Sequence, residues 1–305
     1  MTGPCADCFK GSIHTGTPAG TVAEIHGLQT YVAYPEAGVT PKGIVVMITD
    51  AFGYDFVNNR MLCDVYAKKG GFLVYCPDFM NGHAMSSKCL HIMEQLMAPA
   101  SILTSIIYKP IYAIQAMYHA LPWLITTRSS VCRPRILKFF QDLRTSPPPF
   151  ETPSLKIGVC GFCWGQYTFL LAADKPSHRI KRHSSQIPTN SSSTSTSTSP
   201  DTPLPLIDCA FTAHPSFVKV PQDAEAVTIP LSVAVGETDM AMKGPLIRQM
   251  KEILEVKKKG DNEVVVMPGA KHGFAVRAVP DDGVQRGWAD KAETQAIDWF
   301  TKYLA

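Results

Sequence analysis

Leu155-Lys156-Ile157-Gly158-Val159-Cys160-Gly161-Phe162-Cys163-Trp164-Gly165-Gln166 runs from an apolar, β-rich stretch into a glycine-flanked cysteine and on toward a helical stretch. Gly161-x-Cys163-x-Gly165 is the G-x-S-x-G nucleophile elbow with sulfur in place of oxygen. In such an elbow a strained strand-to-helix turn holds the nucleophile out above the sheet, and the glycines let neighbouring segments pass closely. The free N–H groups and positive dipole at the start of the next helix favour a thiolate. Two other readings of Cys163 compete. Free cysteines are often small buried hydrophobes, and Cys160-Gly161-Phe162-Cys163 also has the C-x-x-C spacing of a redox dithiol or half a zinc site. A second C-x-x-C, Cys5-Ala6-Asp7-Cys8, would complete four thiolates. However, the strand puts Cys160 at its buried end, pointing away from Cys163, which favours the nucleophile.

Outward from this point, short apolar runs alternate with amphipathic stretches. Gly43–Ile48 and Phe72–Cys76 are continuous β-rich runs, as strands buried on both faces should be. Leu155–Val159, Ile207–Thr212, Leu231–Val235 and Glu263–Met267 continue the series, and Gln29–Tyr34 alternates like an edge strand. Asn59–Lys69, Tyr167–Ala173, Pro245–Lys258 and Ala289–Leu304 read as intervening helices. The pattern predicts a single α/β domain over 1–305, with a mostly parallel sheet and helices on both faces. No sequence repeat is visible.

Composition agrees. The chain has 305 residues, 45% hydrophobic and 18% charged, enough to bury about three-quarters of its unfolded surface. Collagen-like, wholly coiled-coil and wholly disordered classes are excluded. Lys plus Arg number 29 against 26 Asp plus Glu, a net charge of +3, which gives no reason to expect a nucleic acid or an anionic membrane as partner. The cysteines number nine, and Met1-Thr2-Gly3-Pro4-Cys5 has neither the basic nor the apolar region of a secretory signal. A reducing, cytoplasmic setting with free thiols is the expectation.

Two segments interrupt the rhythm. Ser86–Phe150 is too long for one crossover helix. Its apolar part, Leu96–Ile125, is broken by Pro99, Lys109, Pro110, His119 and Pro122, leaving no run of about 18 apolar residues to cross a bilayer. Amphipathic helices packed over the sheet, roofing a pocket, are expected instead. Lys175–Pro205 contains the Ser/Thr run Thr189–Pro200 and few apolar residues, so it reads as a disordered insertion within the domain.

A thiol at the elbow needs a base, and the expected chain order is nucleophile, acid, histidine. Downstream of Cys163 stand His178, His183, His214 and His272. The first two fall in the insertion. His214, in Ala213-His214-Pro215, precedes any suitable acid and is read as satisfying local backbone. His272, in Pro268-Gly269-Ala270-Lys271-His272-Gly273-Phe274, follows the last predicted strand and has the right order. The acid should follow the preceding strand, in Gly236-Glu237-Thr238-Asp239; Asp239 lies beyond the strand end, and Glu237 is its competitor. Asp239 would accept from one ring nitrogen of His272, fixing its tautomer and stabilising the imidazolium.

These residues resemble the dienelactone hydrolase family of the α/β-hydrolase superfamily, in particular its fungal branch. Gly161-Phe162-Cys163-Trp164-Gly165, Gly236-x-x-Asp239 and His272-Gly273-Phe274 carry the resemblance, supported by Asp50-Ala51-Phe52-Gly53 and Cys76-Pro77-Asp78-Phe79. It implies an α/β-hydrolase fold with a catalytic triad of Cys163, Asp239 and His272 and an oxyanion hole from the N–H groups of Ala51 and Trp164. It also implies that Asp50 contacts the resting thiol. Of the family's two carboxylate-binding arginines, the one after Asp78 is absent; Arg277 is the candidate for the other. Some fungal members act in polyketide and other natural-product pathways, which implies a bulky carbonyl substrate.

The expected reaction is hydrolysis of a small-molecule ester, lactone or thioester through an acyl-cysteine intermediate, with no cofactor and no metal. An acyl transferase or cyclase would use the same triad. A C-x-x-C redox or zinc protein would instead require Cys160. Oligomeric state is left open by the sequence.

Overall fold

The computed structural model describes residues 11–97, 101–186, 202–257 and 261–305. Eight strands form one sheet: β1 (Thr21–Ile25), β2 (Leu28–Ala33), β3 (Ile44–Ile48), β4 (Leu73–Pro77), β5 (Ile157–Phe162), β6 (Cys209–Ala213), β7 (Leu231–Gly236) and β8 (Asn262–Met267). Their order is β1-β2-β4-β3-β5-β6-β7-β8. The first two pairings are antiparallel and the rest parallel. The helices are α1 (Val57–Gly70), α2 (Lys88–Met97), α3 (Ile102–Thr126), α4 (Ser129–Thr145), α5 (Gly165–Ala172), α6 (Gln222–Ala226), α7 (Gly244–Lys257) and α8 (Gly283–Leu304).

The strands that read as continuous apolar runs are the central ones. Every residue of β3, β4, β5, β6 and β7 is buried. Aromatic rings seal α8 to the sheet: Phe300 meets Tyr66, Phe72 and Phe211 with ring centroids 6.0–6.4 Å apart. Burying such a ring removes about 200 Å² from water, a contribution of up to about 3 kcal/mol.

Sequence and structure differ at the first strands. Gln29–Tyr34 was expected as an edge strand, but β2 is second from the edge because β1 pairs outside it. β1 is short and mostly exposed, so burial leaves little mark on its sequence. The two-residue turn between them, His26-Gly27, has positive φ at both positions, as a type I′ hairpin requires. β5 also ends later than the apolar run, at Phe162: Gly161 and Phe162 still pair with Thr212 and Ala213.

Between β4 and β5, α4 is well packed, burying Cys132, Ile136, Phe139, Phe140, Leu143 and Arg144. Arg144 anchors it to the start of β5. Its guanidinium donates to Leu206 O and Leu155 O at 2.9 Å and to Asp208 at 2.6 Å, while Asp208 also accepts from Ile157 N–H. Burial works against the charged Asp208 carboxylate, but Arg144 and Arg182 outweigh it and hold its pKa below the usual range. Expected amphipathic packing fails for α3, which touches the body along one narrow stripe and exposes apolar side chains elsewhere. Among the described residues, no helix is long and apolar enough to cross a membrane.

The expectation that all of 175–205 is disordered fails at both its ends. Ile180 and Leu204 exchange backbone hydrogen bonds of 3.1 and 2.9 Å. His178 is buried in a short helical turn, and fully buried Gln186 donates to Leu143 O and Ser146 O. The few apolar and amide side chains here find partners on the body. The whole of the Ser/Thr run, 189–200, lies outside the described residues.

Candidate active site

The loops after β3, β5, β6, β7 and β8 carry the site, at the carboxyl ends of the parallel strands, where α/β folds hold ligands. Cys163 sits between β5 and α5 with φ +61° and is almost wholly buried. A left-handed conformation costs a non-glycine residue about 1–2 kcal/mol, so the surroundings must enforce it. They do so through close approach. A Cβ on Gly161 would lie 2.0 Å from Thr168 Oγ1, and one on Gly165 would lie 2.2 Å from Pro215 Cβ.

The turn after β6 grips the elbow. Cys163 N–H donates to Ala213 O (3.4 Å), Ser216 N–H donates to Cys163 O (2.6 Å), and Gln166 N–H donates to Ser216 O (3.3 Å). Ser216 Oγ lies 3.8 Å from Cys163 Sγ. Trp164 N–H closes a tight turn onto Phe162 O at 2.6 Å, and Ala51 O accepts from Met85 N–H at 2.8 Å. Trp123 of α3 packs on Trp164, ring centroids 6.2 Å apart, so the end of that helix covers the elbow.

On the other side, His272 Nδ1–H faces both Asp239 oxygens at 2.9 and 3.0 Å, and both side chains are fully buried. Asp239 Oδ1 also accepts from Ala241 N–H at 2.8 Å. Thr238 donates from its N–H and its hydroxyl to Ala270 O, tying the acid loop to the histidine loop. Glu237, the competing acid, is exposed and accepts from Gly269 N–H, so it braces the loop and does not face His272.

His214 links the two halves. Its ring meets that of His272 at 4.8 Å between centroids and also touches Phe162 and Phe274. The expectation that His214 satisfies local backbone is corrected: neither ring nitrogen has a hydrogen-bond partner among the described residues. Burial, with His272 and Arg277 nearby, pushes its pKa well below the usual range, so the ring is a neutral wall. Ser216 and His214 were not singled out as site residues by sequence reasoning. The available signal was their position in Ala213-His214-Pro215-Ser216, directly beyond a buried strand.

Asp50 and Arg277, expected to face thiol and substrate respectively, form a buried ion pair with each other. Asp50 also accepts from Asn59 Nδ2 (3.0 Å) and Phe52 N–H (3.2 Å), and the guanidinium lies over the Phe52 ring. Each of the two buried charges compensates the desolvation of the other. Arg277 also borders a cavity of about 330 Å³ with Lys271, His272, Phe274, Gln285 and Trp288. Cys163 is not among its lining residues, so this cavity adjoins His272 and not the sulfur.

Cys160 is fully buried and free, and burial pushes its thiol well above the ordinary range. Its neighbours are Cys76 and Tyr66, whereas Cys163 meets Ser216. Cys5 and Cys8 lie outside the described residues. Cys160→Ala is expected to lower stability by about 1–2 kcal/mol and to leave kcat within about twofold, read by urea denaturation and steady-state kinetics. Among the described residues no group of three His, Cys, Asp or Glu is arranged to hold a metal ion.

With this geometry in view, the family model described as "Dienelactone hydrolase family" matches residues 28–304. The chain is 25% identical to hydrolase tropI of Talaromyces stipitatus, over 97% of this chain and 95% of that protein. It is also 25% identical to dienlactone hydrolase 1 of Gibberella moniliformis, over 98% and 93% respectively. A crystal structure of a dienelactone hydrolase from Anabaena variabilis shares the fold, with a TM-score of 0.53 at 15% identity, covering 96% of this chain and all of that one.

Proposed function

The chain belongs to the dienelactone hydrolase family, with its α/β-hydrolase fold, and from that premise we propose that it hydrolyses a small-molecule ester, lactone or thioester through Cys163, His272 and Asp239. The observation that carries this reading is the shared turn Ala213–Ser216. It holds the elbow cysteine by two backbone hydrogen bonds and, through His214, packs against the histidine that is paired with a buried carboxylate.

His272 takes the Cys163 proton on Nε2 as the sulfur attacks the carbonyl carbon. Asp239 accepts from Nδ1–H, keeping the tautomer that leaves Nε2 basic and stabilising the imidazolium. The N–H groups of Ala51 and Trp164 receive the developing oxyanion, each contributing about 3 kcal/mol; Trp164 N–H exchanges its strained contact with Phe162 O for the substrate oxygen. The imidazolium then protonates the leaving group, and the same ring activates water to cleave the acyl-thiol bond. Ser216 Oγ is within reach to donate to the thiolate.

With Asp50 and Arg277 engaged on each other and Phe79 following Asp78, recognition of a substrate carboxylate has little support here. The aromatic cover of Trp123 and Trp164 favours a bulkier carbonyl compound of natural-product metabolism. The free described cysteines suit a reducing cytoplasm. The test is brief incubation with an activated aryl ester, followed by peptide mass spectrometry. An acyl group on Cys163 is expected; an adduct elsewhere, or turnover with none after rapid quenching, would overturn the reading.

A further inference from the structure

α3 is 25 residues long and turns a single narrow stripe to the protein, with Trp123 buried and Lys109, Tyr112, Ala116 and Ala120 half-buried. Opposite this stripe stand Ile107, Ile111, Ile114, Tyr118, Leu121 and Ile125, each 45–75% exposed. Their successive spacings alternate as four, three, four, three and four residues, a mean of 3.6 that keeps all six on one face. That is the a/d seam of a helix meant to pack along another helix. A helix facing water should instead carry polar residues here.

We propose that this seam is the dimer interface of the protein, occupied by the α3 helix of a second copy. Three observations favour that occupant over a membrane or an unlike partner. First, the only Asp, Glu, Lys, Arg or His residues in α3 are Lys109 and His119, both half-buried on the protein side. Interfacial membrane helices carry Lys and Arg along their polar face; none is exposed on this helix. Second, the flanking positions, with Tyr108, Gln115, Met117 and Leu124, are also uncharged. Two identical faces brought together by a twofold axis therefore meet no like-charge repulsion, and nothing selects against self-pairing. Third, the six seam residues and the flanking Tyr108, Met117 and Leu124 are apolar and each 40–75% exposed, a continuous patch on the scale of the about 800 Å² per partner that a stable interface of standard size buries. Pro110 and Pro122 lie beside the seam and not within it, so the stretch from Ile111 to Leu121 runs between them. The inner side of the same helix carries Trp123, packed on Trp164 beside Cys163. Pairing of two α3 helices would thus back the cover of both active sites.

Sedimentation velocity on the full-length protein reads the outcome. The wild-type chain is expected to be a dimer at micromolar concentration, and Ile114→Glu/Tyr118→Glu a monomer with unchanged circular dichroism, its dimer dissociation constant raised at least about a hundredfold. Mixing separately purified Ile114→Glu and Ile114→Lys chains should restore dimers. Should the double variant fail to fold, Tyr118→Lys reads the same equilibrium. A monomeric wild type overturns the proposal, as does a dimer indifferent to these substitutions. So does a monomer that floats with phosphatidylcholine vesicles through this helix.

Discussion

Cys163→Ala is expected to lower kcat by about ten-thousand-fold or more and to abolish the acyl adduct, with circular dichroism and the urea midpoint close to wild type. The size of the loss follows from the site's division of labour. In the proposed mechanism the sulfur forms the acyl bond, so its removal leaves only the oxyanion donors and substrate binding to supply the residual rate. The small stability effect has a separate cause. The φ of +61° at position 163 strains any side chain with a Cβ, so alanine inherits the strain that cysteine bears and loses only the sulfur's contacts, including that with Ser216. Cys163→Ser retains a nucleophilic atom, but one that must lose its proton from a much higher pKa, and should be almost as slow. Turnover of Cys163→Ala within tenfold of wild type would remove the covalent mechanism.

Arg277→Met is expected to destabilise the fold by about 3–5 kcal/mol, measured as a shift of the urea midpoint at unchanged m-value. The side chains of Asp50 and Arg277 are 0% and 1% exposed. Removing the cation leaves a carboxylate in a buried setting with only Asn59 Nδ2 and Phe52 N–H, among the described residues, to hold it. Adding Asp50→Leu to Arg277→Met should recover most of the loss, because the cost comes from the orphaned charge and not from the missing arginine. A substrate-binding arginine would behave otherwise: its removal would raise KM and leave the midpoint in place. Equal stability of single variant and wild type would show that the pair is not what holds these loops together.

The elbow at Cys163 was legible because one pattern combined three local demands: a buried strand, two glycines and a helix start. Asp239 and His272 could be found from chain order and from the strands ahead of them, since each follows a strong apolar run. Less visible were features that depend on distant pairs. Asp50 and Arg277 are 227 residues apart, and nothing in either local sequence shows that they meet as a buried ion pair. The linking role of His214 and Ser216 was similarly hidden, because it consists of contacts to elements far along the chain. β1 escaped notice for a different reason: a half-exposed edge strand needs no apolar alternation, and its main signature was the His26-Gly27 turn. In α3 the residue types were plain, but apolar periodicity alone cannot tell a seam covered by the chain's own sheet from one left facing outward.

The Ile180–Leu204 bridge fixes the separation of the two points where the Ser/Thr-rich stretch leaves and rejoins the body, and Gln186 pins one of them against α4. This works like a collar. Whatever length of chain joins the two sides, β6 enters the sheet in the same register, and the Ala213–Ser216 turn beyond it keeps its hold on sulfur and imidazole.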